Sequence, residues 1–141
     1  MATFTKYQVF VENLAEKVHN LGSDVLKVAL TNTAPTVATD TVWSTGVYPA
    51  PAAANGYTAG GNTITTTSSA QTGGTYKLVL VDSVFTATAG GIGPFRYVIL
   101  YNSTAANAVI GSYDYGSSIT LNSTETFTVD FDGANGVLTL A

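Results

Sequence analysis

The sequence predicts an all-β protein, a jelly-roll-like antiparallel β-sandwich of about eight strands with a short N-terminal helix. Charge is low: only 10% of residues are Asp, Glu, Lys or Arg, against roughly 25% in ordinary soluble domains. Ser and Thr supply 33 of the 141 residues, which indicates that hydroxyls rather than ions solvate the sheet surfaces. Short apolar runs separated by Gly, Asn and Pro turn signals have the spacing typical of sandwiches and barrels.

The length indicates a single domain over residues 1–141, enough to bury one core without disulfides. Two parts differ from the regular pattern of strands. Residues 1–20 form a helical lead-in, and residues 33–75 form a long irregular segment rich in Thr, Ala, Gly and Pro.

Apolar residues recur at helical spacing within the lead-in. Thr3 or Thr5 is expected to cap this helix. The apolar stripe of an amphipathic helix must pack against another apolar surface. We favour the domain's own core as that surface; the alternative is a neighbouring chain, as part of a dimer contact. The stripe consists of Tyr7, Phe10, Leu14 and Val18.

Strands are expected wherever apolar and β-branched residues run between turn signals. Residues 95–101 are apolar on both faces, as in a central strand, and Asn135-Gly136 predicts a tight hairpin turn. We expect the core to include Val98, Leu100, Phe127, Val129 and Phe131. The expected strands cover residues 25–31, 62–67, 76–81, 84–88, 95–101, 109–115, 118–121, 124–131 and 137–140.

The irregular segment is too long to be a comfortable free loop in a compact domain. We expect its part around residues 43–57 to lie along a neighbouring subunit or another partner surface. Trp43, Tyr48 and Tyr57 would be the anchors, because buried aromatic residues dominate interface energies. The alternative is that Trp43 caps the domain's own core.

Titratable residues form no convincing catalytic or metal-binding pattern. His19 lies close to Ser23 and Asp24 in sequence, but these two belong to an ordinary turn and the histidine ends the helix near its carbonyls. Residues 130–135 resemble an acidic calcium loop only faintly, lacking its ligand spacing and distal Glu; Asp and Asn before Gly are typical of turns. We therefore expect no catalytic residues, no cofactor and no metal.

Two further groups of residues carry an alternative interpretation each. Asp82, Asp114 and Glu125 could supply a glycosidase pair, but strand-end acids are usually solvated and sequence cannot set their separation. An aromatic strip on neighbouring strands could stack sugars or a protein partner, or simply pack across strands, which we favour. The strip consists of Tyr97, Tyr101, Tyr113 and Tyr115.

The net charge of −4 and the scattered five basic residues argue against direct nucleic-acid binding. Gly90-Gly91-Ile92-Gly93 joins two strands and is not followed by a helix, so it is no phosphate cradle. No apolar run approaches the length of a membrane span, and the first residues lack the pattern of a secretory signal. The absence of cysteine fits synthesis in the cytoplasm.

Five stretches together resemble one family, the small structural proteins that decorate the heads of tailed double-stranded-DNA bacteriophages. The resemblance implies a β-jelly-roll on the outer surface of the capsid in the virion, made in the host cytoplasm. It also implies a dimer near symmetry axes that cements major capsid protein subunits, with no catalytic residues. A carbohydrate- or receptor-binding module of a phage tail or fibre is the alternative. The stretches are FTKYQVFVENLAEKVHNLGSD, VLKVALTNTAP, NGYTAGG, VLVDSVFTATAGGIGPFRYVILYN and SYDYGSSITLNSTETFTVDFDGANGVLTL.

Overall fold

The structure, a computed structural model, describes residues 2–141. Over these residues it has ten strands and one short helix, which confirms an all-β sandwich with an N-terminal helix. The elements in chain order are β1 (Phe4–Lys6), α1 (Gln8–Ala15), β2 (Leu26–Thr31), β3 (Asn62–Ile64), β4 (Thr66–Thr72), β5 (Thr75–Leu80), β6 (Ser83–Thr86), β7 (Ile92–Asn102), β8 (Ala108–Leu121), β9 (Thr126–Val129) and β10 (Leu138–Leu140).

The strands form two layers. One layer is a five-stranded sheet in the order β1-β8-β7-β2-β3, and the other contains the sheets β10-β5-β4 and β6-β9. The antiparallel pairs β1–β8, β2–β7 and β4–β5 are nested along the chain, a jelly-roll-like arrangement. The β7–β8 hairpin also joins the first two pairs within one sheet.

The inner core lies between the two layers. Strand β2 alternates as expected, with Leu26, Val28 and Leu30 on the inner face. Phe10 of α1 joins the same core, because the helical stripe packs on the domain itself. The second layer contributes Leu78, Leu80, Phe85 and Val129, and β7 and β8 contribute Ile92, Phe95, Val98, Leu100 and Ile110.

The predicted core is largely confirmed. Val98, Leu100, Val129 and Phe131 are buried, and β7 lies in the middle of the five-stranded sheet. Phe127, on β9, is less deeply buried than the other four but packs against the same core.

Replacing Phe127 and its neighbour Phe95 by alanine should have unequal effects on stability. Phe95 is fully buried and meets Phe127 edge-on, with ring centroids 5.0 Å apart. Phe95→Ala is expected to lower the free energy of unfolding by about 3–5 kcal/mol, and Phe127→Ala by roughly half as much, because less area leaves water. Urea unfolding of both variants measures the difference; equal losses would show that Phe127 is as deeply buried as Phe95.

The N-terminal helix is shorter than predicted. It covers Gln8–Ala15, and neither Thr3 nor Thr5 caps it, because Thr5 lies within β1 and pairs with Ser112 of β8. Tyr7 occupies the N-cap position without a side-chain cap. The preceding strand could not be predicted, since three residues carry too little pattern.

The predicted hairpin at Asn135-Gly136 is also wrong. Strand β10 pairs with β5 and not with β9, and the Val137 amide donates to the Leu78 carbonyl oxygen at 2.8 Å. The two predicted strands 109–115 and 118–121 are a single strand, β8, which passes through Gly116 at a φ of +101°. Glycine adopts this conformation readily. The strand therefore continues through Gly116, where a break between two strands was expected.

Candidate functional site

The irregular segment ends earlier than predicted and is built into the domain. Strands β3 and β4 occupy much of its second half. Val37, Trp43 and Tyr48 pack on the face of the five-stranded sheet that points away from the second layer, whereas Tyr57 joins the inner core and stacks on Phe85 of β6. The Trp43 amide donates to the Asn107 carbonyl oxygen at 2.8 Å, and the Val109 amide donates to the Thr41 carbonyl oxygen at 3.1 Å. These hydrogen bonds, with the bridge between Val42 and Ala108, join the segment to the start of β8.

A second group of buried residues, which we call the outer cluster, lies beneath this segment. The indole ring of Trp43 stacks on the Tyr101 ring, with centroids 4.7 Å apart and planes 10° from parallel. Such a stacked pair contributes about 0.5–1.5 kcal/mol beyond its buried area. The outer cluster consists of Tyr7, Ala29, Trp43, Tyr48, Ile99, Tyr101 and Val109.

Two tyrosines and a carboxylate connect this cluster through hydrogen bonds. The Tyr7 and Tyr48 hydroxyls lie 2.8 Å apart, and the Tyr48 hydroxyl donates to Asp40 Oδ2. Burial raises the pKa of Tyr7 to about 12, and burial together with the Asp40 hydrogen bond raises the pKa of Tyr48. Both phenols therefore stay protonated at neutral pH and act as a structural link between the lead-in and the segment.

The seven residues predicted for contacts differ in their exposure. Leu14 is half-buried against the core, and Val18 is 40% exposed. The other five belong to the domain's own core, which matches the alternative stated for Trp43. Those five are Tyr7, Phe10, Trp43, Tyr48 and Tyr57.

His19 lies in a buried polar cluster that sequence reasoning did not foresee. Asn102 Oδ1 accepts the backbone amides of Thr104 and Ala105 at 3.0 and 3.1 Å, which fixes the orientation of its amide. Asn102 Nδ2 therefore faces His19 Nδ1 at 3.1 Å and Asp24 Oδ2 at 2.6 Å. His19 Nδ1 must accept, so the proton of the neutral ring is on Nε2, which is buried without a partner among residues 2–141.

This arrangement predicts a loss of stability in mildly acidic solution. Burial lowers the pKa of His19, while Asp24 opposes the shift. The unfolded chain, with an ordinary histidine pKa near 6.5, therefore takes up a proton before the folded chain does. The stabilisation is complete above that pH and is lost as the pH falls through the folded pKa.

Urea unfolding of the wild type and of His19→Gln at pH 7.5 and 5.5 tests this expectation. The wild type should lose stability between the two pH values, and the variant should show a flat response. Asp114 and Asp132, whose carboxyl pKa values are lowered by hydrogen bonds, titrate below this window. A variant as pH-dependent as the wild type would assign the effect to other groups.

The carboxylates considered for catalysis each make local hydrogen bonds. Asp82 Oδ1 accepts the Phe131 amide at 2.9 Å, and Asp114 forms a two-pronged ion pair with Arg96 at 2.8 and 2.9 Å. Glu125 accepts the Asn122 amide at 2.7 Å. These contacts are structural, and they place the three groups in separate parts of the fold.

The acidic stretch 130–135 forms a turn. Asp132 Oδ1 accepts the amides of Ala134 and Asn135 at 2.9 and 2.7 Å, and these hydrogen bonds lower the pKa of the Asp132 carboxyl. No three His, Asp or Glu side chains within residues 2–141 lie close enough together to hold a metal ion. In the same part of the chain, no helix has the length and apolar character needed to cross a bilayer.

The four tyrosines considered as one strip lie on two faces of the sheet. Tyr97 and Tyr101 lie on the outer face, whereas Tyr113 is opposite Val98 and faces the inner side. Tyr115, 53% exposed, meets Phe127 edge-on with centroids 5.8 Å apart. Tyr113, Tyr115 and Phe127 line an open cleft of about 400 Å³, which we call the aromatic cleft. Its other bounding residues are Ala2, Val98, Thr128, Val129 and Asp130.

Comparison of the chain with protein-family models, with curated proteins and with solved structures found no match.

Proposed function

We propose that this protein is a cementing, or decoration, protein that binds the outside of a phage head and clamps neighbouring major capsid subunits. The observation that carries the proposal is the resemblance of five sequence stretches to head-decoration proteins. A cementing protein makes weak contacts that stabilise a shell only when many symmetric copies form them together. Each copy must therefore be rigid enough to hold its contacts in place at the same time. The second core under residues 32–61 supports this role by fixing the long segment to the sheet.

The surface offers two kinds of contact for such a role. Edge strands β3 and β4 present backbone groups on one side that no strand of residues 2–141 pairs, and such edges accept a strand from another chain. Val81 and Val84 are 49% and 50% exposed close to one of these edges. We propose that the capsid protein and a second copy of this chain bind at these edges.

Co-sedimentation with heads that lack this protein tests the proposal. Purified protein should bind the heads saturably and raise the temperature at which they disassemble. Light scattering at tens of micromolar tests the accompanying two-fold dimer. Binding to tails and not to heads, or no effect on head disassembly, would contradict the cementing role.

The aromatic cleft favours a second candidate, a carbohydrate-binding module. It combines the exposed Tyr115 ring with Asp130, and an aromatic face beside a carboxylate suits a sugar ring. Under this alternative, Tyr115→Ala should abolish binding to host surface polysaccharide, whereas Val84→Ala, at a similarly exposed position outside the cleft, should not. If no polysaccharide binds, or if the two changes affect polysaccharide binding equally, the alternative fails.

A further inference from the structure

The second layer of the sandwich leaves part of the facing sheet uncovered. Strand β9 pairs with β6 on one side, and no strand of residues 2–141 pairs with its other side. In the facing sheet, Phe95 of β7 meets Phe127 of β9 and is fully buried, but Tyr113 of β8 is half-buried and Tyr115 is 53% exposed. Tyr113 and Tyr115 are two residues apart on one strand and share its inner face, so this inward face lacks cover beside β9.

The aromatic cleft follows the free edge of β9. Phe127, Thr128 and Val129, together with the following Asp130, all border the cleft. Side chains of successive strand residues point to opposite faces, so the surface that these four residues share is the edge of the strand. The residues of β6, on the other side of β9, do not border the cleft. The cleft therefore runs along the edge that has no partner strand.

The backbone of Thr128 presents its hydrogen-bonding groups at this edge. The amide of Ala87, the residue after β6, donates to the Glu125 carbonyl oxygen at 2.9 Å, so Glu125 directs its backbone groups toward the β6 side. The direction alternates from residue to residue along an antiparallel pair, and the register of β9 is regular. Phe127 and Val129 therefore bond to β6, whereas the N–H and C=O of Thr128 point away from it. An exposed edge of this kind accepts an additional strand.

The other residues of the cleft define the side chains that an added strand would carry. Tyr113, Tyr115 and Phe127 give it apolar walls, and Asp130 is the charged residue at its border. Burial, with the nearby charge of Asp130, raises the pKa of Tyr113 to about 12, so the phenol stays neutral. A strand whose apolar residues face the aromatic walls, with a basic residue next to Asp130, complements both the walls and the charge.

The free backbone edge favours a protein strand over a sugar. A sugar ring would use an aromatic face alone, whereas a strand also bonds to Thr128 and covers the inward face of β8. We propose that the aromatic cleft binds an extended segment of a partner protein, which pairs with β9 as a further strand of the second layer. An apolar side chain of this segment packs against Tyr113 and Tyr115, and a Lys or Arg lies next to Asp130. The proposal does not depend on the cementing role.

NMR with a model strand tests the proposal. The probe is the acetylated and amidated peptide KVTVTVK, which alternates apolar and polar residues and has a lysine at each end. We expect saturable shifts of the Thr128 amide and the Tyr115 ring, with a dissociation constant of roughly 0.1–1 mM. Hydrogen exchange at the Thr128 amide should slow about tenfold when the free peptide is at about nine times that constant. The Val129 amide, which bonds to β6, should already exchange slowly without the peptide.

The chemistry of the peptide separates strand pairing from simple apolar contact. The same peptide, N-methylated at every residue, keeps its side chains but cannot donate backbone hydrogen bonds, so it should not bind. The neutral peptide QVTVTVQ should bind about two- to fivefold more weakly, because an exposed ion pair with Asp130 contributes little. Equal binding of the N-methylated peptide, or no saturable shift at Thr128 with KVTVTVK, would overturn the proposal.

Variants of the protein locate the binding edge. Thr128→Pro removes an outward N–H at an edge position where proline is tolerated, so it should abolish binding of KVTVTVK with the rest of the spectrum unchanged. Tyr115→Ala should weaken binding about tenfold, and it replaces the proline variant if proline perturbs the fold. Val84→Ala, 50% exposed on β6 and outside the cleft, should bind as the wild type does. Unchanged binding in the Thr128 and Tyr115 variants, or an oligosaccharide that binds the cleft equally well in Thr128→Pro while the peptide does not bind the wild type, would contradict the proposal.

Discussion

Replacing Gly61 by alanine is expected to remove most of the stability of the domain. Gly61 has a φ of +78°, and a Cβ there would lie 1.8 Å from the Val28 carbonyl oxygen and 2.8 Å from Ala29 Cα. Since these are backbone atoms of β2, only a displacement of the chain can relieve the clash. Together with the strain of a left-handed residue, we expect a loss of more than about 4 kcal/mol, a large share of the ~5–15 kcal/mol typical of a domain.

Gly74→Ala is the matched control. Gly74 has a similar φ of +85°, but nothing lies within 4 Å of a Cβ at this position. The control carries the backbone strain without the clash, so it should cost about 1–2 kcal/mol. Urea unfolding of the two variants separates the cost of the steric clash from the cost of the backbone strain. Similar losses of stability would mean that residues 60–62 do not approach β2 as the structure places them.

Replacing Tyr48 by alanine is the second change with a large expected effect. Tyr48 is fully buried, and its hydroxyl links Tyr7 to Asp40. Removing the ring should cost about 3–5 kcal/mol, as for other large aromatic residues. Tyr48→Phe keeps the ring but removes the hydroxyl that joins Tyr7 to Asp40, so it should cost about 1–3 kcal/mol.

The neighbouring Val47 provides the control, because it is 39% exposed and Val47→Ala should change stability little. Urea unfolding gives the three stabilities, and hydrogen exchange at the Trp43 amide reports whether residues 32–61 stay on the sheet. If Tyr48→Ala kept its stability in the isolated protein, the segment would be a separable arm and the outer cluster would not be a core.

Short-range patterns in the sequence determine part of the fold, and those parts could be predicted. The alternation of Leu26, Val28 and Leu30 places β2 correctly, and the apolar faces of residues 95–101 identify the central strand. Strand pairing between segments that are remote in sequence could not be predicted. Asn135-Gly136 is a strong local hairpin signal, but β10 pairs with β5, more than fifty residues earlier.

The candidate site was the least predictable part. The hydrogen bond between Tyr7 and Tyr48 spans 41 residues, and the His19–Asn102 contact spans 83, so no spacing rule reveals either. Aromatic residues in an irregular segment signal burial, but the sequence cannot say whether the burying surface belongs to the same chain.

A cryo-EM map of the native phage particle tests the cementing proposal most directly. We expect density of this sandwich on the outer surface of the head, in contact with at least two major capsid subunits and with a second copy of the same chain. Residues 32–61 should remain folded over the sheet in that density. Density at the tail or its fibres, or a particle that lacks the protein, would contradict the proposal.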